Sequence, residues 1–255
     1  MPLILSIAII TKNEEANLAR TLDSVRWADE IVIVDCGSTD RTEEIARSFG
    51  AKFFVEEWKG FGAQKNSAIA KCSAEWILAL DADEEVSLEL ADEIRQLLGG
   101  PLLHEAYFLP RRNLFLGRWI RHGGYYPDPK LRLFRKGKAQ FEERVVHETI
   151  RPTGSTGQLR GDLLHHAYPT LESYIEHMNR YSSLGAAQAI ARGKTSRNPL
   201  SFFWNVFLAP AATFKYNYFF RLGFLDGREG FLLHLYHSAY VSWKYAKAWE
   251  RSRRS

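Results

Sequence analysis

Four short apolar runs constrain this chain more than any other feature: LILSIAII (3–10), IVIV (31–34), KFFV (52–55) and EWILAL (75–80), each separated from the next by a helical pattern. A run that is apolar at consecutive positions is buried on both faces, and such strands belong to parallel sheets covered by crossover helices. Between the runs, Leu18, Leu22 and Val25 recur at helical spacing after Asn13. Asp40-Arg41-Thr42-Glu43 has capping-box spacing before a helix that stops at Gly50. A third helix is expected over Gln64 to Lys71, and a fourth from a Ser87 cap through Leu88, Ala91, Ile94 and Leu98 to Gly99-Gly100-Pro101. With right-handed crossovers the first hundred residues read βαβαβαβα. The first run has no basic flank and runs straight into Thr11-Lys12-Asn13-Glu14-Glu15, so it reads as a strand and not as a signal peptide.

From 106 to 166 the sequence turns alternating, basic and turn-rich, with strands expected at 106–110, 130–135 and 145–150. Helical spacing returns at Leu171, Tyr174, Ile175, Met178, Tyr181 and Leu184, and Asn198-Pro199 marks a boundary. A composition of 45% hydrophobic and 25% charged residues excludes disordered, collagenous and purely membrane-embedded chains. Two cysteines, Cys36 and Cys72, exclude a disulfide framework and suit a reducing compartment.

In an open parallel sheet, ligands bind beyond the carboxyl ends of the strands. Three such ends here carry a polar cluster: Thr11-Lys12-Asn13-Glu14, then Asp35-Cys36-Gly37-Ser38-Thr39-Asp40, then Asp81-Ala82-Asp83-Glu84-Glu85. On an extended strand Asp81 and Asp83 share a face, and two carboxylates on one face suit Mg²⁺ or Mn²⁺ bound with a nucleoside diphosphate. The other reading is that Asp81 to Glu85 caps the helix beginning near Ser87. Gly60-Phe61-Gly62-Ala63-Gln64-Lys65-Asn66 follows the third strand and lacks a third glycine, so it is no dinucleotide fingerprint. It sets Lys65 and Asn66 at a helix start, either for an anion or base or as a solvated turn. His165-His166, His234 and His237 lie in mainly apolar stretches and read as packing residues, whereas His147-Glu148 offers a metal ligand and a base beside Glu142-Glu143. P-loop, GxSxG, HExxH and paired CxxC motifs are absent.

SIAIITKNEEANLARTLDSV, EIVIVDCGSTDRTEEIA, GFGAQKNSAI and WILALDADE, in this order and spacing, resemble the family 2 glycosyltransferases of the GT-A nucleotide-sugar fold. The later segments GGYYPDPKLRLFRKGKAQFEERVVHE, HHAYPTLESYIEHMNRYSS and FLDGREGF are similar to a narrower bacterial branch that includes the β-1,4-glucosyltransferase of the lipopolysaccharide inner core. The resemblance implies an α/β Rossmann-like fold with a mainly parallel sheet. It also implies a catalytic domain over 1–198, with a donor half 1–100 and an acceptor half 101–198, followed by a tail over 199–255. It places a UDP-sugar, with glucose the first to try, against Thr11, Asn13, Glu14, Asp35, Ser38, Asp40, Lys65, Asn66 and Asp81. Asp83 is then the metal ligand, with Asp81 and His147 as further candidates. Inversion by single displacement needs a carboxylate base, for which Glu148 and Glu143 both stand. Arg111, Arg112, Arg118, Arg121 and His122 suit an acceptor bearing phosphate; the alternative is a basic loop solvating the rim. The implied activity is transfer to a lipopolysaccharide-core or other lipid-linked saccharide. Transfer to a polyprenyl phosphate and a non-catalytic sugar-nucleotide-binding membrane module are the alternatives.

Residues 200–249 hold 16 of the 34 aromatic residues. LSFFWNVFLAPAATFKYNYFF has spanning length, but Asn205, Pro210, Lys215 and Asn217 interrupt it, so helices lying in an anionic membrane interface are expected. Packing on the catalytic domain or a second subunit is the other reading. The expected location is cytoplasmic and peripheral, on the inner face of a bacterial cytoplasmic membrane. Charge follows the same division: residues 192–255 carry 11 Lys/Arg against 3 Asp/Glu, net +8, and the first 191 carry 23 against 27, net −4. Nothing in this pattern calls for nucleic acid.

Overall fold

The computed structural model describes residues 4–142 and 149–253. The chain divides into two compact units, Met1–Arg112 with Asp128–His166, and Asn113–Pro127 with Ala167–Ser255. The first begins β1 (Leu5–Thr11), α1 (Leu18–Ser24), β2 (Glu30–Asp35), α2 (Thr42–Ser48), β3 (Lys52–Val55), α3 (Phe61–Lys71), β4 (Trp76–Asp81), β5 (Glu84–Val86) and α4 (Leu88–Leu98). After β6 (Ala106–Leu109) come β7 (Arg111–Phe115), β8 (Arg118–Trp119), β9 (Lys130–Arg135), β10 (Ala139–Phe141), β11 (Ile150–Pro152), β12 (Thr156–Gln158) and β13 (Leu163–Tyr168).

Seven strands form the central sheet in the order β12-β6-β9-β4-β1-β2-β3. Its centre is parallel, β1 pairing with β2 and with β4, while β9 runs antiparallel between β6 and β4. Period-2 alternation sends Ile7 and Ile9 to one face, with Leu18, Leu22, Leu78, Leu90 and Ile94, and Ala8 to the other, with Val34, Ile69, Ile77 and Phe134. The pairing register sets Thr11 opposite Asp35 and Ile10 opposite Asp81, so three strands end together.

Several expectations need correction. β3 is not buried on both faces: it is the edge strand, and Phe54 and Val55 are 38% and 63% exposed. At α2 the capping position is Arg41, and Asp40 caps from outside by accepting from the Thr42 backbone and hydroxyl. The basic stretch carrying Arg111, Arg112 and Arg118, where no strand is expected from the sequence, forms the hairpin β7–β8. Of the strand expected at 145–150, residues 145–148 lie outside the described residues, and β11 begins at Ile150.

The second unit is mainly helical: α5 (Leu171–Ala191), α6 (Pro199–Phe203), α7 (Ala209–Lys215) and α8 (Gly227–Ser252), with π-helical turns over Trp204–Leu208 and Tyr216–Phe220. Thr170 and Asn198 cap α5 and α6 through hydrogen bonds from Ser173 and Leu200. Tyr174 of α5 packs with Phe115, Ile120 and Leu233, while Ala186 and Ala189 meet Ala248 of α8. The second compact unit takes in residues on both sides of Asn198. Helix α5, with its small residues turned to α8, groups with the tail and not with the sheet. No described helix is long and apolar enough to cross a membrane.

Candidate active site

The aligned ends of β1, β2 and β4 build the site in the first unit. Asp35 is buried and saturated: it accepts from Thr11 Oγ1 (2.8 Å), the backbone N–H of Gly37 and Ser38 (2.7 Å each) and Ser38 Oγ (2.5 Å). Its carboxylate moulds the turn through Gly37, whose φ of +80° favours glycine. The turn is laced to the end of β1, since the Asn13 N–H donates to Ser38 Oγ (2.7 Å) and Asn13 Oδ1 accepts from the Thr39 N–H (2.8 Å). Lys12 caps the Cys36 and Gly37 carbonyls. Asp40 takes the Glu15 and Thr42 N–H groups. Burial, with the charges of Asp83, Asp40 and Asp81 nearby, raises the Glu14 carboxyl above its usual range, against an opposing hydrogen bond from Asn17. Thr11, Asn13, Glu14, Asp35, Ser38 and Asp40 therefore lie together as one cradle.

Asp81 is gripped on both oxygens, by Lys65 Nζ (2.6 Å) and Arg132 Nη2 (2.5 Å). Burial opposes its ionisation, yet Arg132 and Lys65 hold the carboxyl well below the usual carboxylate range. Arg132 also bonds Glu84 (2.7 Å), a wholly buried carboxylate that accepts from the Asp81 N–H (3.0 Å) and from Arg111 (3.2 Å). Arg111 continues to Asp128 (2.8 Å), and Arg112 pairs with Asp162 (2.5 Å). Two of the four arginines expected at an acceptor, Arg111 and Arg112, are thus paired with carboxylates of the first unit. Asn66 bonds the backbone of Phe141 in both directions (2.9 and 3.0 Å) and so anchors β10, while Lys65 lies over the Phe141 ring at 5.1 Å.

Asp83 faces His165, with Nε2 to Oδ2 at 3.4 Å, and His166 Nε2 lies 2.8 Å from Glu85. Burial raises the Asp83 carboxyl, but His165 outweighs it and the net displacement is downward. These two histidines are not the packing residues expected from their apolar setting. Antiparallel pairing of β13 with β5 brings them over the acidic turn. Among the described residues no cluster of three or more His, Cys, Asp and Glu gathers for a metal. Asp83 with His165 offers one oxygen and one nitrogen, both partly exposed, which suits a divalent cation completing its shell with phosphate oxygens and water. Glu143, His147 and Glu148 lie outside the described residues, between β10 and β11, which pair antiparallel.

Arg118, Arg121 and His122 belong to the second unit. Asp226 accepts from the backbone N–H of Arg121 (3.2 Å) and His122 (2.8 Å) and lies 3.0 Å from His122 Nδ1. Arg121 stacks over Trp119 at 4.1 Å, and Arg118 is 3.6 Å from Glu229. Sequence reasoning missed Arg132, Glu84, His165 and Asp226. The one available signal was Arg132 itself, a charge at a buried position of the apolar LRLF run.

Known proteins resemble the chain along the same lines. The model of Glycosyl transferase family 2 matches residues 6–152. The chain is 33% identical to the lipopolysaccharide core biosynthesis glycosyltransferase LpsC of Rhizobium meliloti, over 97% of this chain and 92% of that protein. It is 32% identical to an uncharacterized glycosyltransferase of Rickettsia typhi, over 89% and 80%. Among solved structures, S. aureus TarS residues 1–349 in complex with UDP matches with a TM-score of 0.51 at 16% identity, over 99% of this chain and 92% of that one.

Proposed function

The chain belongs to glycosyl transferase family 2, and from that premise we propose that it transfers a hexose, with inversion, from a UDP-sugar, UDP-glucose first, to a lipid-linked saccharide of the lipopolysaccharide-core type. The enzyme has the mixed α/β GT-A fold. One observation carries the reading: the register that ends β1, β2 and β4 together collects Thr11, Asn13, Asp35, Asp81 and Asp83 at the carboxyl edge of a parallel sheet. The relative LpsC is named for lipopolysaccharide core biosynthesis, which supports the acceptor class.

The cradle of Thr11, Asn13, Glu14, Asp35, Ser38 and Asp40 binds the nucleoside, and Lys65 supplies positive charge beside the diphosphate. A divalent cation, Mg²⁺ or Mn²⁺, held by Asp83 and His165 would supply the charge that stabilises the departing diphosphate. Asp81 instead orients Lys65 and Arg132. Glu148 or Glu143 takes the proton of the acceptor hydroxyl as the new glycosidic bond forms and the bond from sugar to diphosphate breaks.

The second unit supports action at an anionic membrane surface. Phe203, Trp204, Phe207, Tyr216, Phe219 and Phe220 are 54–70% exposed, beside a net charge of +8 in residues 192–255.

The test is a thermal-shift screen of UDP-, GDP- and TDP-sugars with Mn²⁺, since a ligand of the native state raises its stability. A shift confined to UDP-sugars is expected, and a protein that answers only to GDP- or TDP-sugars sinks the donor assignment.

A further inference from the structure

Arg221 takes no part in the ion pairs of the second unit. It is exposed, its ring neighbour is Tyr216 at 5.6 Å, and no carboxylate pairs with its guanidinium among the described residues. Its position is nevertheless built. The Gly123 N–H donates to the Arg221 carbonyl (2.8 Å), and the guanidinium lies so close over Gly124 that a Cβ there would stand 2.1 Å from Nη1 and 2.6 Å from Cζ. Gly123 and Gly124, with φ of +68° and +86°, hold the turn in a backbone that favours glycine; a Cβ on Gly123 would meet the buried His234 ring, and one on Gly124 the flexible tip of Arg221. The same turn carries Arg121 and His122, whose backbone is pinned by Asp226. That carboxylate is spent on the turn and does not neutralise Arg221.

The next residue, Leu222, stands 45% exposed at φ +60°, a left-handed conformation disfavoured for a branched side chain. Phe219, Phe220, Phe224 and Leu225 around it in sequence are all exposed by more than 40%. The arginine is flanked in sequence by exposed hydrocarbon.

We propose that Arg221, with the Arg121–Gly124 turn, is a binding site for the phosphomonoester or pyrophosphate of a lipid-anchored molecule, whose hydrocarbon lies along Phe219, Phe220 and Leu222. The site rests on the lipid-linked acceptor proposed above and reads one part of it, the phosphate and the chain it is attached to. Guanidinium pairs with phosphate bidentately, and a terminal phosphate offers more oxygens and more charge than a diester.

The experiment is vesicle flotation of the full chain. Phosphatidylcholine vesicles carry either phosphatidate, a phosphomonoester, or phosphatidylglycerol, a diester, at equal surface charge. The wild type is expected to bind phosphatidate vesicles about tenfold more tightly. Arg221→Gln should abolish that preference while binding to both lipids persists through the apolar face. Leu222→Asn relieves the backbone, since asparagine tolerates the left-handed region; it should melt no lower than wild type yet bind both vesicles more weakly. Equal wild-type affinity for the two lipids, or a preference that survives Arg221→Gln, overturns the site. If inorganic pyrophosphate alone gives an Arg221-dependent thermal shift while the vesicles are not distinguished, the ligand is a soluble phosphate and the lipid part is overturned. UDP-induced stabilisation of Arg221→Gln should equal that of wild type, so a failed donor assignment shows in the UDP arm and not in the lipid comparison.

Discussion

At the scale of single residues, two aspartates spaced by one alanine have opposite surroundings. Asp81 meets two cations on its two oxygens, whereas Asp83 meets one imidazole. Asp83→Ala should therefore abolish metal-dependent turnover and the Mn²⁺ contribution to UDP-induced thermal shift; unchanged turnover would remove Asp83 from the metal. Glu148→Gln should keep the donor shift and lose transfer, and if Glu143→Gln does so instead, the base is Glu143. Glu30 offers a pH prediction away from the chemistry. It is buried, and although burial opposes ionisation, Lys52, Ser6 and Ser73 bring its carboxyl down to about 2. A group whose folded value is depressed stabilises above its unfolded value and ceases to do so as pH falls through the folded one. The Glu30 contribution, up to about 3 kcal/mol, is thus complete above about pH 4.5 and lost towards pH 2. Melting curves of Glu30→Gln should be lower at neutral pH and flatter through that window, and parallel curves for the two proteins would refute the linkage.

At the scale of elements, periodicity and caps were legible where local chemistry decides. Ser87 accepts from the Leu90 N–H and α4 ends at Leu98 before Gly99, as the pattern indicates. Runs 31–34 and 75–80 emerge as strands with nearly every residue buried. Legibility failed where the neighbour in space decides. KFFV looks like a core strand, but its outer side has no partner in the sheet. Nothing local shows that β9 inserts antiparallel beside β4, the pairing that brings Arg132 to Asp81. Likewise His165 becomes a partner of Asp83 only through the β5–β13 register. Asn66 gives this scale its prediction: its two bonds to Phe141 tie α3 to β10, next to the segment that carries Glu143 and Glu148. Asn66→Ala should cost about 1–3 kcal/mol and lower turnover while the donor shift remains. A variant losing donor binding at unchanged turnover would instead put Asn66 against the nucleotide.

At the scale of the whole molecule, a modest total charge of +4 conceals an acidic stretch and a basic, aromatic one. The second unit leaves large side chains exposed along Pro199–Phe220 while α5 and α8 make its core. Removing the tail at 200 would therefore strip α5 of its partner, so a substitution is the cleaner probe. Joint replacement of Phe203, Trp204 and Phe207 by Ser should weaken binding to anionic vesicles without lowering the melting temperature, and added salt should weaken it further. Binding that survives all three changes would discard the interfacial role. The common ending of β1, β2 and β4 has a further consequence for how such a chain can vary. Its alignment depends on backbone pairing between adjacent strands, so a one-residue deletion inside β1 would dislocate Thr11 and Asn13 from the ends of both neighbours at once. The turn beyond the β7–β8 hairpin, outside that sheet, carries none of this pairing, so it can change in length and sequence while the three strand ends stay in line.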